Sequence, residues 1–396
     1  MRILLSFFLC CFYFLIQANV THAFQLSPQS EISLLTCSPG NEAYSVYGHS
    51  AFRIKDEVAD YDVVFNYGLF DFSTPNFVYR FARGQTDYLL GAYDFSHFLN
   101  EYISDKRSIY EQVINLTHTE KQNVFDFLLW NARPENRVYR YNFFFDNCAT
   151  RIRDVIQEQV NGEVVFPEYV QESKTFRELI KDYHSKMLWL NFGIDLVVAA
   201  PSDREASAWE EMFLPDYLML HFSNTTINDS DSIRSLVQAS HQIYKAPEVK
   251  YRSIKVLSPT VVLSILLLIV IIITIKHFWT TSGSHTVDYL VFGINGFIGL
   301  AILWFTLYSE HPAMSPNYNL MWAVPLNLFF ALIWKVKKWR PITRHYFTVV
   351  AVWMSLFLLI SFLLPQKFHV GFYILSLMVL CRAVINSYRI FIPGNK

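Results

Sequence analysis

The stretch FFFDNCATRIRDVIQEQVNG, residues 143–162, runs from an aromatic segment into an amphipathic one. After Cys148, apolar side chains recur at helical spacing, at Ile152, Val155, Ile156 and Val160. Asn147 or Asp146 is a suitable N-cap, because a short polar side chain can accept hydrogen bonds from the free N–H groups of the first turn. The pattern predicts a helix with Cys148 in its first turn, directly after an extended segment at 137–147.

Upstream of this stretch, two segments have the character of strands. HSAFRIKD (49–56) alternates apolar and polar residues, and YDVVFNYGLFDF (61–72) is rich in β-branched and aromatic residues. A hairpin between them would put Asn66 or Tyr67 opposite His49. With a further strand at 32–35 and helices at 94–104 and 118–132, they predict an α+β domain. Its antiparallel sheet would be joined to a helix that carries the cysteine at its N-terminus.

The composition indicates a second, different part of the chain. Of the 396 residues, 52% are hydrophobic and 17% are charged, whereas soluble domains carry roughly 25% charged residues. The formal net charge is −1, so the chain has no bulk basic field and we expect no nucleic-acid partner. The apolar excess is typical of a protein with a membrane portion.

The sequence also shows where that membrane portion lies. Residues 1–23 are predicted to be a secretory signal peptide, and 24–255 are mixed enough to form an exported globular domain. The run 256–275 is uncharged and apolar, and it has the roughly 20 residues that a helix needs to cross a bilayer. Further spans are predicted at 287–308, 320–335, 346–364 and 370–387, which gives a membrane domain of about five helices over 256–396.

Lysine and arginine in the short loops predict the orientation of these spans. The loop at 336–345, VKKWRPITRH, is strongly basic and belongs in the cytoplasm. The loop at 309–319, SEHPAMSPNYN, has neither lysine nor arginine and belongs outside. The signal peptide would export 24–255 to the same side. We therefore expect the globular domain and the 309–319 loop to share the non-cytoplasmic face.

The predicted position of Cys148 favours nucleophilic chemistry. A thiol at a helix N-terminus has a lowered pKa, and free N–H groups there can stabilise an oxyanion. His49 could serve as the base and Asn66 as the residue that orients it, with Asp62 or a water as alternatives for the third member. A buried inert Cys148, a disulfide between Cys37 and Cys148, and a structural His49 remain alternatives. No HExxH or paired C-x-x-C motif indicates a metal site, and we expect no cofactor.

Several segments resemble a known family. LLTCSPGNEAYSVYGHSAFRI, VFNYGLFDF, NFVYRFARGQTDYLL and YRYNFFFDNCATRIRD are similar, in order and spacing, to the N-terminal periplasmic domain of the Lnb-type bacterial lipoprotein N-acyltransferases. EHPAMSPNYNLMWAVPLNL (310–328) resembles that family's membrane half. A more distant similarity, to permuted NlpC/P60 and lecithin–retinol acyltransferase-like thiol enzymes, implies a papain-like fold and rests on analogy.

The resemblance implies a reaction and a location. Cys148 would take a fatty acyl chain from a membrane phospholipid as a thioester, with His49 as base. The chain would then pass to the α-amino group of a diacylglyceryl-cysteine, the N-terminal residue of a lipoprotein. Such an enzyme would be multi-pass in the bacterial inner membrane, with the catalytic domain in the periplasm and the bilayer as a further partner. Candidate residues of lower rank are Asn147 and Asp146 at the helix cap and oxyanion site, and Glu310, His311 and Arg53 as substrate contacts.

Two other classes of function remain open. One is a membrane-bound thiol hydrolase, either a phospholipase or a peptidoglycan amidase or peptidase. A multi-span anchor argues against the peptidoglycan enzymes, which need no docking at the lipid surface. The other is a non-enzymatic membrane sensor or transporter. The few ionisable residues in the predicted spans lie near their ends, which argues against transport.

Overall fold

The computed structural model describes residues 24–168, 172–229, 232–247, 255–280, 285–334 and 336–388. The predicted signal peptide at 1–23 lies outside the described residues, as does the tail after 388. Domain boundaries at 23 and 255 therefore stay predictions.

The exported part is built on a seven-stranded sheet in which every neighbouring pair is antiparallel, in the order β10-β5-β1-β2-β3-β4-β6. The strands are β1 (Glu31–Cys37), β2 (His49–Asp56), β3 (Tyr61–Leu69), β4 (Asp87–Asp94), β5 (Ile109–Ile114), β6 (Val138–Arg140) and β10 (Val237–Tyr244). A separate small sheet contains β7 (Glu163–Val165), β8 (Thr226–Asn228) and β9 (Ile233–Ser235). The predicted α+β class with an antiparallel sheet is confirmed.

Helices cover both faces of the large sheet. Neighbouring residues on a strand face opposite sides, so each strand contributes to two cores. Phe52 and Phe65 belong to a core shared with the helices α3 (His118–Asn131) and α4 (Cys148–Gln159). Ala51 and Val64 face the other way, toward α2 (Phe95–Ser104). The remaining helices of this part are α1 (Phe77–Ala82), α5 (Phe176–His184), α6 (Leu188–Val197), α7 (Ala208–Glu211) and α8 (Pro215–Asn224).

Four helices are long and apolar enough to cross a membrane, among the residues described. They are α9 (Pro259–Trp279), α10 (Thr286–Tyr308), α12 (Arg340–Ile360) and α13 (Val370–Tyr388). The third predicted span, 320–335, differs from the prediction. It contains a 3-10 turn at Tyr318–Met321 and the eight-residue helix α11 (Leu326–Ile333), which is shorter than a spanning helix.

The break in this segment has a physical cause. Pro325 immediately precedes α11 and has no N–H to continue a helix. Buried Asn295 of α10 instead satisfies the unwound backbone: its amide donates to Trp322 O at 2.9 Å and its oxygen accepts from Val324 N at 3.1 Å. Non-helical backbone at membrane depth is tolerated where protein covers it in this way.

The broken segment still follows the predicted direction. Trp322 lies beside the middle of α10, and Trp334 packs beside His285 and Tyr289 at the start of α10. The chain therefore runs back along α10 toward its first turn. Glycine permits the close approach, because a Cβ on Gly299 would lie 2.4 Å from Ala323 O.

The exported part is packed against the membrane part. The apolar helix α6 places Phe192 against Phe372 of α13, with ring centroids 5.1 Å apart. Asn319, which is fully buried, donates to the carbonyls of Asp195 and Leu196 at 3.1 and 3.0 Å. Glu310 N donates to Arg83 O at 2.8 Å. The 309–319 loop thus contacts the globular domain that was predicted to share its face.

Candidate active site

A cavity of about 350 Å³ lies at the N-terminal end of β2, and His49, Asn66 and Cys148 all line it. The structure therefore brings together the three residues that were predicted as a catalytic group. Aromatic side chains form much of the remaining wall, including Tyr44, Phe70, Phe81, Tyr88, Tyr102, Tyr141, Phe143 and Phe213.

Cys148 is the first residue of α4, as the sequence predicted. Asn147 is the N-cap: its side-chain oxygen accepts from the N–H groups of Ala149 and Thr150 at 2.8 and 3.0 Å. Its amide nitrogen donates to the carbonyls of Phe143 and Phe213 at 2.7 and 2.9 Å. Because every polar atom of that side chain is occupied, Asn147 positions the cysteine and is not an oxyanion donor.

Asp146 does not act as the helix cap. Its carboxylate forms a two-bond ion pair with Arg151, one turn into α4. Arg151 in turn lies over the ring of Tyr139, at 4.3 Å from its centroid. The N-cap is Asn147 and not Asp146, and a role of Asp146 at an oxyanion site stays a prediction.

His49 and Asn66 stand on adjacent strands and are hydrogen-bonded, with Nε2 and Oδ1 2.6 Å apart. The strand register pairs Phe52 with Phe65. Continued by counting, that register puts Asn66 opposite Ala51, so the histidine contacts it diagonally and not directly across. Diagonal pairs of this kind are within side-chain reach in an antiparallel sheet.

The Asn66 amide fixes the tautomer of His49. Its nitrogen donates to the Tyr93 hydroxyl at 2.7 Å, which leaves its oxygen facing the imidazole. An oxygen can only accept, so Nε2 carries the proton in the neutral ring. The lone pair is then on Nδ1, which is the nitrogen that can take a proton from a thiol.

Gly68 lies between the sheet and α4. Its φ is +92°, in the region that favours glycine. A Cβ built on it would lie 3.5 Å from His49 Cε1 and 3.6 Å from Cys148 Cβ. The cysteine of the helix layer and the histidine of the sheet therefore both border a position that has no side chain.

Burial sets the charge state of this pair. It lowers the pKa of His49 to about 4, an effect that Arg107 adds to and the hydrogen bond with Asn66 opposes. Burial raises the pKa of Cys148 to about 11, against hydrogen bonds from the backbone N–H groups of Ser50, Ala149 and Cys148. At neutral pH both groups are therefore uncharged, so the proton must move as the sulfur attacks.

Cys37 is a buried free thiol, and Cys148 is also free. In the sheet Cys37 pairs with His49, and burial raises the pKa of its thiol far above the ordinary value. The disulfide that the sequence left open is not formed in this structure. The buried and protonated Cys37 thiol is a poor nucleophile.

Arg53 was predicted as a substrate contact, and the structure does not bring it to the cavity. Its guanidinium pairs with Asp62 at 2.7 Å and with Glu111 at 3.2 Å. It also lies 3.6 Å from the centroid of the Phe95 ring. These contacts hold the guanidinium within the sheet, and a role of Arg53 as a substrate contact stays a prediction.

Glu310 and His311 lie beside the site and not within it. Gln85 donates to the Glu310 carboxylate, and His311 Nε2 lies 2.9 Å from Phe81 O. Phe81 lines the catalytic cavity, and the His311 ring is 6.0 Å from its ring. The two residues therefore connect the membrane part to one wall of the cavity, and a role as direct substrate contacts stays a prediction.

Three residues of the site were missed in the sequence. Tyr102 stacks on His49 with ring centroids 6.5 Å apart, and Arg107 lines the cavity beside it. Gly68 could have been found, since an isolated glycine in a strand marks a close approach. Tyr102 lies in the last turn of α2, and Arg107 lies in the loop that follows. No local sequence pattern distinguishes either of them.

Comparison with known families agrees with this two-part architecture. The family model for the Lnb N-terminal periplasmic domain matches residues 17–182, and that for the Lnb transmembrane domain matches 251–391. No curated protein and no solved structure matches the chain, so the likeness to permuted thiol enzymes stays a prediction. With both domains present in order, the chain belongs to the Lnb family of membrane proteins with a periplasmic domain.

Proposed function

We propose that the protein is a lipoprotein N-acyltransferase of the bacterial inner membrane. The observation that carries the proposal is the Cys148, His49 and Asn66 group in a cavity next to the membrane part. A thiol, an oriented imidazole base and a largely aromatic wall suit the transfer of a fatty acyl chain.

In the first half-reaction, Cys148 Sγ attacks the ester carbonyl of a phospholipid, and His49 Nδ1 takes the thiol proton. The tetrahedral intermediate collapses by breaking the ester C–O bond. His49 then gives its proton to the departing alkoxide, which leaves as the lysophospholipid. The acyl chain stays on Cys148 as a thioester, and the imidazole is neutral again.

In the second half-reaction, the α-amino group of a diacylglyceryl-cysteine attacks the thioester carbonyl. His49 Nδ1 accepts a proton from the amine as the C–N bond forms. The C–S bond breaks, and the proton returns from His49 to the sulfur. The products are an N-acylated lipoprotein and the free enzyme, so one base serves both steps.

The route of the acyl chain follows from the aromatic residues between the cavity and the membrane part. Phe70 stacks on Phe77 at 5.6 Å, and Phe77 lies 6.3 Å from Phe81. Phe81 then meets His311 of the membrane loop. This line of rings supports entry of a lipid chain from the bilayer side, since it gives the chain an apolar surface at each step.

The test uses the purified full-length protein, a phospholipid labelled in one acyl chain and a synthetic diacylated lipopeptide. The expected result is a hydroxylamine-sensitive label on the wild-type protein, and label on the peptide amine once the lipopeptide is added. Cys148→Ala should give neither product. Cys381→Ala is the matched control, because that cysteine lies in the membrane helix α13, outside the cavity.

Two outcomes would contradict the proposal. Peptide acylation at the wild-type rate by Cys148→Ala would show that the thioester is not on the pathway. Free labelled fatty acid with no acylated peptide would favour a phospholipase, in which water takes the place of the amine.

A further inference from the structure

Arg107 is a buried cation at the edge of the active-site cavity. Its side chain is 7% exposed and lines the cavity together with His49 and Cys148. Its Nε donates to Ser38 O at 2.8 Å, and its guanidinium carbon lies 4.7 Å from the Tyr102 ring centroid. These contacts fix the guanidinium in place and neutralise none of its charge.

The terminal nitrogens of Arg107 have no hydrogen-bond partner among the described residues, and Nη2 is completely buried. No described carboxylate lies within 4.0 Å of it either. The other buried arginines of the described chain differ, since each has an ion pair: they are Arg53, Arg153, Arg177 and Arg382. Arg107 is therefore the exception within that part of the chain.

An unpaired buried charge is costly, and buried charges are normally paired or bound to a ligand. Glu101 lines the same cavity but is not within ion-pairing distance of Arg107. Burial and the neighbouring Asp105 raise the pKa of Glu101, against the effect of Arg107. A guanidinium that keeps a free terminal N–H can donate a charge-assisted hydrogen bond to a phosphate oxygen.

We propose that Arg107 binds the phosphodiester of the phospholipid that serves as acyl donor. This inference rests on the proposed function. The cavity supports it, because Arg107 and Glu101 lie beside the Tyr102 ring that stacks on His49, while Phe70 and Phe81 lead toward the membrane loop. The headgroup and the acyl chain of one lipid would then leave the reacting carbonyl in different directions.

The experiment measures binding and chemistry separately in the full-length protein in detergent. Binding is measured in the Cys148→Ala background by calorimetry, with a short-chain phosphatidylglycerol and with the diacylglycerol that carries the same chains. Thioester formation is measured in the protein that retains Cys148, from the same two donors. Arg107→Gln is compared with Arg107→Lys and with Arg133→Gln, a control at an exposed arginine outside the cavity.

Arg107→Gln should weaken binding of the phospholipid by roughly tenfold or more and leave the diacylglycerol within about twofold. Arg107→Lys should recover part of the loss, since it keeps the charge and loses the fork. Arg133→Gln should match the protein with both arginines intact. An unchanged thermal unfolding midpoint in Arg107→Gln excludes misfolding, and Arg107→Lys serves as the reference if that midpoint falls.

Equal loss for both lipids would overturn the inference, because Arg107 would then act on the ester carbonyl or on packing. No loss for either lipid would overturn it as well. A wild-type protein that binds phospholipid through Arg107 and never forms a thioester would support the anion site and refute the acyltransferase. Normal thioester formation from phospholipid by Arg107→Gln, with unchanged binding, would support the acyltransferase and refute the anion site.

Discussion

His49 Nε2 lies 2.6 Å from the side-chain oxygen of Asn66, on a neighbouring strand and one diagonal step away. The amide of Asn66 is itself held by Tyr93. The orientation of the imidazole is therefore set by the sheet and does not depend on α4. The thiol and its base are positioned by two different layers of the fold.

Asn66→Ala should slow thioester formation by roughly 10- to 100-fold, because the ring loses the group that holds its tautomer and orientation. The rate of acyl-enzyme labelling measures this. Tyr93→Phe is the matched change, since it removes the hydrogen bond behind Asn66. It should slow thioester formation less, because Asn66 keeps its contact with His49. An Asn66→Ala enzyme with the wild-type rate would remove Asn66 from the site.

The pH dependence of kcat/KM should show an acidic limb near pH 4, since the pKa of His49 is lowered to about 4. The base works when it is neutral, so activity rises with pH through that value and stays level across neutrality. The hydrogen bond that His49 donates to Asn66 raises this pKa, so Asn66→Ala should move the limb to lower pH. A wild-type limb near the ordinary histidine value would contradict the buried site.

The same pKa shift predicts a loss of stability in acid. In the unfolded chain His49 would have its ordinary pKa of 6.5, and in the fold its pKa is about 4. Between these values the unfolded state binds more protons, so the free energy of unfolding falls as pH falls through this window. His49→Gln should flatten that part of the curve of unfolding midpoint against pH. An identical slope in the variant would contradict the shift.

Gly68→Ala should reduce thioester formation more than it reduces stability. The added Cβ meets His49 and Cys148 at ordinary contact distances, and the positive φ costs about 1–2 kcal/mol for an L-residue. Gly162→Ala has a similar φ of +91° far from the cavity, and its Cβ would meet Asn228 O at 2.9 Å, so it serves as the control for backbone strain and crowding away from the site. Equal activity losses in the two variants, at equal unfolding midpoints, would contradict a specific role for Gly68.

Gly299→Ala should destabilise the membrane part by about 1–3 kcal/mol through overpacking. Its Cβ would lie 2.4 Å from a backbone oxygen, that of Ala323. Gly293→Ala, on the same helix, meets nothing within 4 Å and should be neutral. Unfolding in mixed detergent micelles measures both changes. A neutral Gly299→Ala would mean that α10 and the unwound segment are less closely packed than described.

The sequence predicted the elements of the site and the approximate pairing, because periodicity and capping act over a few residues. The hairpin of 49–56 with 61–69 and the helix that begins at Cys148 are both present. The ion pairs of the site could not be predicted in the same way, because their partners depend on the tertiary fold. Arg151 pairs with Asp146, and Arg53 pairs with Glu111 of a strand that lies far away in the sequence.

The third predicted span shows a different limit. Hydropathy over 320–335 is that of a membrane helix, yet the segment is helical for only eight residues. Asn295, which lies 27 and 29 residues before its two partners Trp322 and Val324, satisfies the unwound backbone from an apolar helix. Composition shows that a segment is apolar. Whether this segment is helical depends on Pro325 and on the side-chain amide of Asn295.

The contact of α6 with the membrane helices has a practical consequence for anyone who wishes to study the N-terminal half alone. Phe192 lies against Phe372, and the carbonyl oxygens of Asp195 and Leu196 accept from Asn319. A chain stopped at residue 247 would carry this apolar surface into water and leave those carbonyls without their donor. Such a fragment should self-associate, and any activity lost on truncation would reflect damage to the fold as much as loss of the anchor.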